Sequence, residues 1–338
     1  MDEPMSWFAA ADAALMPLSR GRHVLALVDG AHASGLLEAL RTGGDPAALA
    51  RATGLPEHTV RAVGDALAST GVVDESEGRL GLTPAWDALL RDDAFTTLEL
   101  LLRSGDIEAG LLRSVSAGAD YWTMPSEDRL TFARAISPNP FAAGLVASFR
   151  ASAEHDPERA ALRAGGRLLE LGCGVAGRLL TCLQAFPALT AVGVELADDL
   201  ADEAERRAEA LGVADRLTVV RSDAGTHLEP DSFDFGFWSQ FFFPTASRGP
   251  ALAALFTNLR PGGTAWAPVL GDVPAMEADP TGPERQEYAV FRVILDSWGV
   301  PERSPAQLGA EFRAAGFVDI DHSGGGAAGP VRLSARKP

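Results

Sequence analysis

The residues best placed to do chemistry cluster around a glycine-punctuated turn. Leu168–Leu171 is followed by Gly172, Gly174 and Gly177, spaced as G-x-G-x-x-G. Glycine lets a backbone turn tightly and lets a ligand approach it closely. Alone, the pattern admits a nicotinamide or flavin enzyme. The acids around it narrow the chemistry. Glu170 lies two residues before the first glycine, inside the apolar run. Its carboxylate repels a pyrophosphate but attracts an ammonium or a sulfonium. Val192-Gly193-Val194-Glu195 places an acid where a second strand ends, able to hold both ribose hydroxyls. Ser222-Asp223-Ala224 does the same after a third, where an acid can accept from an adenine amino group. Each acid alone reads equally well as a loop cap. Together, at successive strand ends, they suit a cationic adenosyl ligand, with Leu196, Ala224, Trp238 and Ser239 in the same shell.

The elements that must position these residues alternate. Strands are expected at Arg167–Leu171, Thr190–Glu195, Leu217–Arg221, Phe233–Trp238 and Thr264–Val269. Helices are expected from about Arg178 and over Ala197–Leu211, Ala251–Leu259, Glu284–Trp298 and Pro305–Ala315. Two closing strands, Phe317–Asp321 and Val331–Ala335, flank a glycine-rich turn. This alternation predicts an α/β domain over 165–338, a parallel sheet covered on both faces. Residues 1–93 read as short helices, with Leu15, Leu18, Val24, Leu25 and Val28 at helical spacing. Pro46–Ala52 and Pro56–Ser69, then two short strands around Glu75–Gly78, have the order of a winged helix. Residues 94–164 form a helical connector rich in aromatic residues: Tyr121, Trp122, Phe132, Phe141 and Phe149. These pack between domains or roof a ligand pocket.

Composition removes several classes. The chain has 338 residues, 29 basic against 46 acidic, a net charge of −17. Between Pro46 and Leu82, three arginines face five acids, and the presumed reading helix offers only Arg61 and His58. DNA-reading helices are strongly basic, so nucleic acid is not the expected partner. Two cysteines, Cys173 and Cys182, make neither a disulfide framework nor a zinc site. The longest apolar stretch, 179–194, is 16 residues long and contains Pro187, too short and too broken to span a bilayer. The start, Met1-Asp2-Glu3-Pro4, is acidic where a signal peptide is basic, and a cytoplasmic protein is expected.

Glu170-Leu-Gly-Cys-Gly-Val-Ala-Gly177 and Leu259-Arg260-Pro261-Gly262-Gly263 resemble the first motif and the pre-fifth-strand motif of class I S-adenosylmethionine-dependent methyltransferases. With the front module included, the whole chain resembles the plant-type small-molecule O-methyltransferases and their bacterial antibiotic-pathway relatives. The resemblance implies a Rossmann-like seven-stranded sheet whose last strand is antiparallel. It also implies S-adenosylmethionine as cofactor, an interlocked homodimer through the front module, and a small aromatic or polycyclic acceptor. It places the family's general-base histidine on Phe243, its first flanking glutamate on Val269, and its second on Glu302. Two of three catalytic positions are therefore apolar. A nucleophile positioned by Phe241-Phe242-Phe243 beside Trp238 needs no such base. The expected acceptor wall comprises Trp122, Phe141, Gln240, Phe242, Phe243, Tyr288 and Phe291, and Trp298 reads as wall or core. His155 is the remaining candidate base, and no metal site is expected. Two other uses of the fold stand beside methyl transfer. One is a cofactor-retaining hydroxylase, decarboxylase or cyclase. The other is a DNA-binding regulator that senses an adenosyl ligand.

Overall fold

The computed structural model describes residues 3–91, 93–114, 121–269, 277–323 and 331–338, apart from the side chains of 3–6 and 8–10. The glycine-rich turn expected at 324–330 lies outside them. The chain divides into two compact units, Met1–Leu102 and Arg103–Pro338.

The first unit begins with one long helix, α1 (Glu3–Ala33), where shorter helices are expected from the sequence. Pro17 and two interior glycines do not interrupt it. Then come α2 (Leu36–Thr42), α3 (Pro46–Thr53) and α4 (Glu57–Ala68), a hairpin of β1 (Val73–Ser76) and β2 (Arg79–Leu82), α5 (Pro84–Leu89) and the start of α6 (Leu98–Ser114). Asp45 caps α3 by accepting from the Ala48 N–H at 2.7 Å, and Gly54 closes it in the left-handed region. Ser76 pairs with Arg79, leaving a two-residue turn, Glu77-Gly78, with both φ angles positive. That geometry matches the twist of the flanking strands. Val28, Leu37, Leu40, Val60, Leu67 and Leu80 fill the core. On α1, Trp7, Leu15, Leu18 and Leu25 are exposed.

The second unit runs α7 (Ser126–Ile136), α8 (Ala143–Ser152), α9 (Pro157–Ala164), β3 (Gly166–Leu171), α10 (Gly177–Ala185), β4 (Leu189–Glu195), α11 (Asp198–Ala210), β5 (Leu217–Arg221), β6 (Phe233–Trp238), α12 (Thr245–Asn258), β7 (Leu259–Pro268), α13 (Pro283–Ser297), α14 (Pro305–Ala314), β8 (Val318–Ser323) and β9 (Arg332–Arg336). The seven strands are ordered β5-β4-β3-β6-β7-β9-β8. All pairings are parallel except those of β9, which lies antiparallel between β7 and β8. Alternate residues feed two cores. Leu168, Leu179, Leu183 and Phe235 pack on one face, Leu169, Leu171, Leu255 and Phe312 on the other.

The chain leaves β3 for β4 on one side and returns for β6 on the other, so the order reverses at β3. Open α/β sheets bind ligands at such a switch, outside the carboxyl ends of the strands. Two polar ties fasten α7 over this edge. Arg129 and Ser126 both bond Asp199 at 2.6 Å, and Arg134 pairs with Glu203 at 2.9 Å. At the opposite side, Asp156 caps α9 through the N–H groups of Glu158 and Arg159 and pairs with Arg332 of β9 at 2.8 Å. Replacing Asp156 by Ala removes cap and ion pair together and is expected to cost about 1–3 kcal/mol in urea unfolding. Asp156→Asn keeps the cap and should cost less.

Candidate cofactor site and adjoining cavity

The glycine turn is pinned before any ligand arrives. The N–H groups of Gly172 and Cys173 both donate to the Val194 carbonyl, at 2.9 and 3.1 Å. Glu195 completes the tie. Its Oε2 accepts from the Gly174 N–H at 2.8 Å, and its Oε1 accepts from those of Leu196 and Ala197 at 2.9 Å each. Burial pushes this carboxyl up, and the three backbone donors offset only part of that rise. Its Oε2 keeps a lone pair for a further donor. At Gly177 a side chain is excluded, because a Cβ would lie 2.3 Å from the Pro138 carbonyl oxygen. At Gly174 the space is open, with no atom within 4 Å of a Cβ.

Glu170 ends inside this turn, 4% exposed. Its Oε1 takes a long 3.4 Å bond from the Ser239 hydroxyl, and its Oε2 has no partner. Burial pushes the carboxyl up to about 8, Glu195 adds to the rise, and Arg178 and Ser239 oppose it. A buried, unpartnered carboxyl oxygen fits a cationic group. Leu196 beyond Glu195 is 54% exposed, free to cover an adenine. Asp223 is exposed, its Oδ1 accepting from the Gly225 N–H at 2.7 Å, while Ala224 is buried. The acids and glycines of the expected shell are thus brought together at one sheet edge. Trp238 stands apart from that edge's surface. It is fully buried, between Phe243 and Phe312 with Arg248 on its face.

A cavity of about 290 Å³ lies nearby in the same unit. Tyr121, Trp122, Phe242, Pro244, Trp298 and Val300 line it with Ser297 and Gly299, and none carries a charge. The rings interlock. Tyr121 meets Trp298 at 5.3 Å and Phe242 at 5.6 Å, and Phe242 stacks on Trp298 at 6.2 Å. This aromatic cluster also contains Val175 from the glycine turn and Ala197 and Leu200 beyond Glu195. Tyr121 is buried, which raises its phenol above the ordinary value, helped by Glu195, so it stays protonated.

The expected acceptor wall is redistributed. Phe242 lines the cavity, while Phe243 packs against Gly172 and Trp238, 8% exposed. Trp122 lines it, and Trp298, ambiguous in sequence, lines it too. Gln240 is buried and engaged elsewhere, donating to the Pro268 carbonyl and accepting from Arg248. Phe141 is exposed beside Arg207, and Phe291 packs at the edge of the aromatic cluster. Glu302 is exposed and accepts a short hydrogen bond from the Tyr288 hydroxyl, whose proton is held up to about 12 by burial and by that bond. His155 is exposed in the turn before α9 and is absent from the cavity lining. Val269 is buried in the sheet core. Ser297, Gly299 and Val300 were not legible as wall, since they end or follow α13 and no local pattern marks them.

Residues 168–263 match the family model described as "Methyltransferase domain". A curated relative, an S-adenosyl-L-methionine-dependent Diels-Alderase of Talaromyces variabilis, is 31% identical over 167 residues. That match spans 48% of this chain and 56% of the relative, so the chain matches little more than half of the relative's length. Among solved structures, an O-methyltransferase family protein from Burkholderia thailandensis aligns with a TM-score of 0.72 at 15% identity, covering 96% of this chain and 97% of that one. A methyltransferase of calicheamicin biosynthesis, with S-adenosylhomocysteine bound, aligns with a TM-score of 0.69 at 21% identity, covering 100% and 99%. At these identities the structural likeness establishes the fold.

Glu170 yields a pH prediction. Its folded value, about 8, lies above the ordinary 4.5. Such a raised acid favours the folded chain while protonated, and that contribution is lost as pH rises from 4.5 through 8. The ligand-free protein should therefore melt progressively lower across this window, and Glu170→Gln should flatten the fall. A cationic adenosyl ligand favours the ionised carboxylate, so binding near pH 7 should expel close to one proton. Calorimetry in buffers of different ionisation enthalpy should register that proton in wild type and not in Glu170→Gln. Subtracting the variant cancels the ligand's own titration.

Proposed function

We propose that this chain, which carries a methyltransferase domain on the class I S-adenosylmethionine-dependent fold, methylates a small, uncharged, conjugated secondary metabolite without a histidine base. The observation that carries the reading is the charge-free aromatic cavity, whose lining shares one apolar cluster with Val175 of the glycine turn, together with a buried phenylalanine at the position implied for the base. In this reading Gly172, Gly174 and Gly177 make room for the cofactor and Glu170 and Ser239 face its amino-acid end. Glu195 takes the ribose, and Leu196, Asp223 and Ala224 take the adenine. When bound, S-adenosylmethionine supplies an electrophilic methyl group on a sulfonium centre. The cavity's rings hold the acceptor flat and exclude water from it.

The loss of a base is affordable on magnitude. General-base catalysis contributes about 10²–10⁴-fold. Orientation and desolvation contribute about 7–11 kcal/mol of the barrier. An acidic phenol, an amine or an electron-rich ring carbon is nucleophile enough once held in place. Tyr121, kept protonated by its burial, serves as a hydrogen-bond donor rather than as a proton acceptor.

A second reading is favoured by the Diels-Alderase relative. There the same cavity folds a flexible polyene for ring closure, and the cofactor is retained for its charge. Incubation with methyl-labelled cofactor and panels of phenols, enols, amines and polyenes separates the two. Methyl transfer gives labelled product and S-adenosylhomocysteine in equal amounts. Ring closure with the cofactor unconsumed would replace the first reading by the second. DNA sensing is disfavoured by the acidic helix–turn–helix segment, and salt-dependent retention of a DNA duplex would revive it.

The exposed apolar residues of α1 suit a second copy of the chain about a two-fold axis, and we infer a homodimer. Sedimentation at micromolar concentration should report about twice 35.4 kDa, and a monomer would refute this. In the site, Phe242→Ala removes one wall of the cavity. It is expected to weaken acceptor binding by about 1–3 kcal/mol while cofactor affinity holds. His155→Ala should leave the rate within a few-fold. A fall of about 10³ or more would reveal a relocated base.

A further inference from the structure

Arg178, the second residue of α10, is a cation with no anion. Its guanidinium carbon lies 3.8 Å from the centroid of the Phe237 ring. Among the described residues it closes no ion pair and donates no hydrogen bond. Many other arginines of the same unit are ion-paired. Arg129, Arg134, Arg167, Arg221, Arg248 and Arg303 are each fastened to a carboxylate. Stacking on an aromatic face fixes the plane of a guanidinium and leaves its N–H edge free, the edge that grips a carboxylate through two parallel bonds.

The complementary vacancy is one strand away. Glu170 pairs with Phe237 in the β3–β6 register, so the two side chains rise from the same sheet face on strands about 4.8 Å apart. Glu170 is 96% buried by its 4% exposure, and its Oε2 has no partner. Arg178 and Glu170 feel each other's charge, yet they do not close to ion-pair distance. Ser137 adds a third unused group. Its hydroxyl is buried without a partner and would lie 2.7 Å from a Cβ on Gly177, the residue before Arg178. A buried carboxyl with an unpartnered oxygen and a free cation, held apart near one strand end, match a ligand carrying an ammonium and a carboxylate on a single carbon.

We propose that Arg178 anchors the carboxylate of the cofactor's methionine moiety, so that Arg178 and Glu170 together read an α-amino-acid zwitterion. The proposal rests on the cofactor reading above and adds to it the residue that recognises the acid. Ser137 lies on the carboxylate side as a supporting donor. An arginine here makes the site discriminate against adenosyl compounds that lack the amino-acid end, including the 5′-methylthioadenosine that degradation of the cofactor releases.

The test uses purified full-length protein and calorimetry with four ligands. These are S-adenosylmethionine, its decarboxylated form, S-adenosylhomocysteine and 5′-methylthioadenosine. Wild type is expected to prefer S-adenosylmethionine to the decarboxylated form. Arg178→Met should lower S-adenosylhomocysteine affinity roughly 10–100-fold, the scale of a lost charged hydrogen-bond pair. It should shift 5′-methylthioadenosine less than about 2-fold and abolish the preference for the carboxylated ligand. Unchanged binding of 5′-methylthioadenosine also shows that the variant is folded. Arg178→Lys, keeping the charge without the fork, should recover part of the loss. A preference for S-adenosylmethionine that survives in Arg178→Met would overturn the proposal, as would an equal loss for S-adenosylhomocysteine and 5′-methylthioadenosine. Failure of wild type to bind any of the four ligands would instead overturn the cofactor reading itself.

Discussion

One carboxylate holds the site together. Glu195 ends β4 and accepts N–H groups from both sides of a gap, Gly174 in the turn after β3 and Leu196 and Ala197 at the start of α11. Those donors would otherwise be stranded near the base of a buried edge, where an unmade hydrogen bond costs about 1–3 kcal/mol. By taking three of them, a single side chain sets the spacing between two loops that local sequence cannot set. Everything downstream uses that spacing. Val175 and Ala197 belong to one apolar cluster with Tyr121, whose ring meets those of Trp298 and Phe242 at the cavity.

The electrostatics around this tie are arranged by depth. Glu170 sits at the floor, buried beyond the reach of water, and carries a raised pKa because nothing nearby compensates its charge in full. Asp223 lies at the rim, exposed and already capping its own turn. Between them Glu195 is buried and well bonded, so its charge is tolerated by structure rather than by solvent. A graded set of this kind favours a ligand that is cationic at one end and polar but neutral at the other. The cavity beside it has the opposite character. It carries no charge and is walled by rings whose edges and faces interlock, which suits a flat apolar body.

Much of this was legible in the chain. The glycine spacing, the acid at each of three strand ends and the alternation of strands with helices specify a doubly wound sheet and a ligand at its carboxyl edge, because each signal is local and the pleat repeats every two residues. The parallel strands follow from that alternation, and the antiparallel closing strand from the resemblance to a known family. The length of α1 was not legible, since it carries Pro17, Gly21 and Gly30, residues of low helix propensity, and the helix runs through all three.

The cavity and the choice among its aromatic residues belong to tertiary structure. Its wall joins Tyr121 and Trp122, Phe242 and Pro244, and Ser297 to Val300, segments that lie far apart along the chain. In Phe241-Phe242-Phe243 three identical side chains carry no phase of their own. The tight 3₁₀ turn over Gln240–Phe242 sends Phe242 to the cavity and Phe243 back onto Gly172. Arg178 is likewise an ordinary helix residue in sequence, and only the β3–β6 register sets it across from an unpaired Glu170. Sequence alone determined the fold and the acids at its carboxyl edge, because turn glycines and strand periodicity act within a few residues. Packing decided which rings line the cavity and which charge stays free, because those outcomes depend on neighbours the chain brings together only once folded.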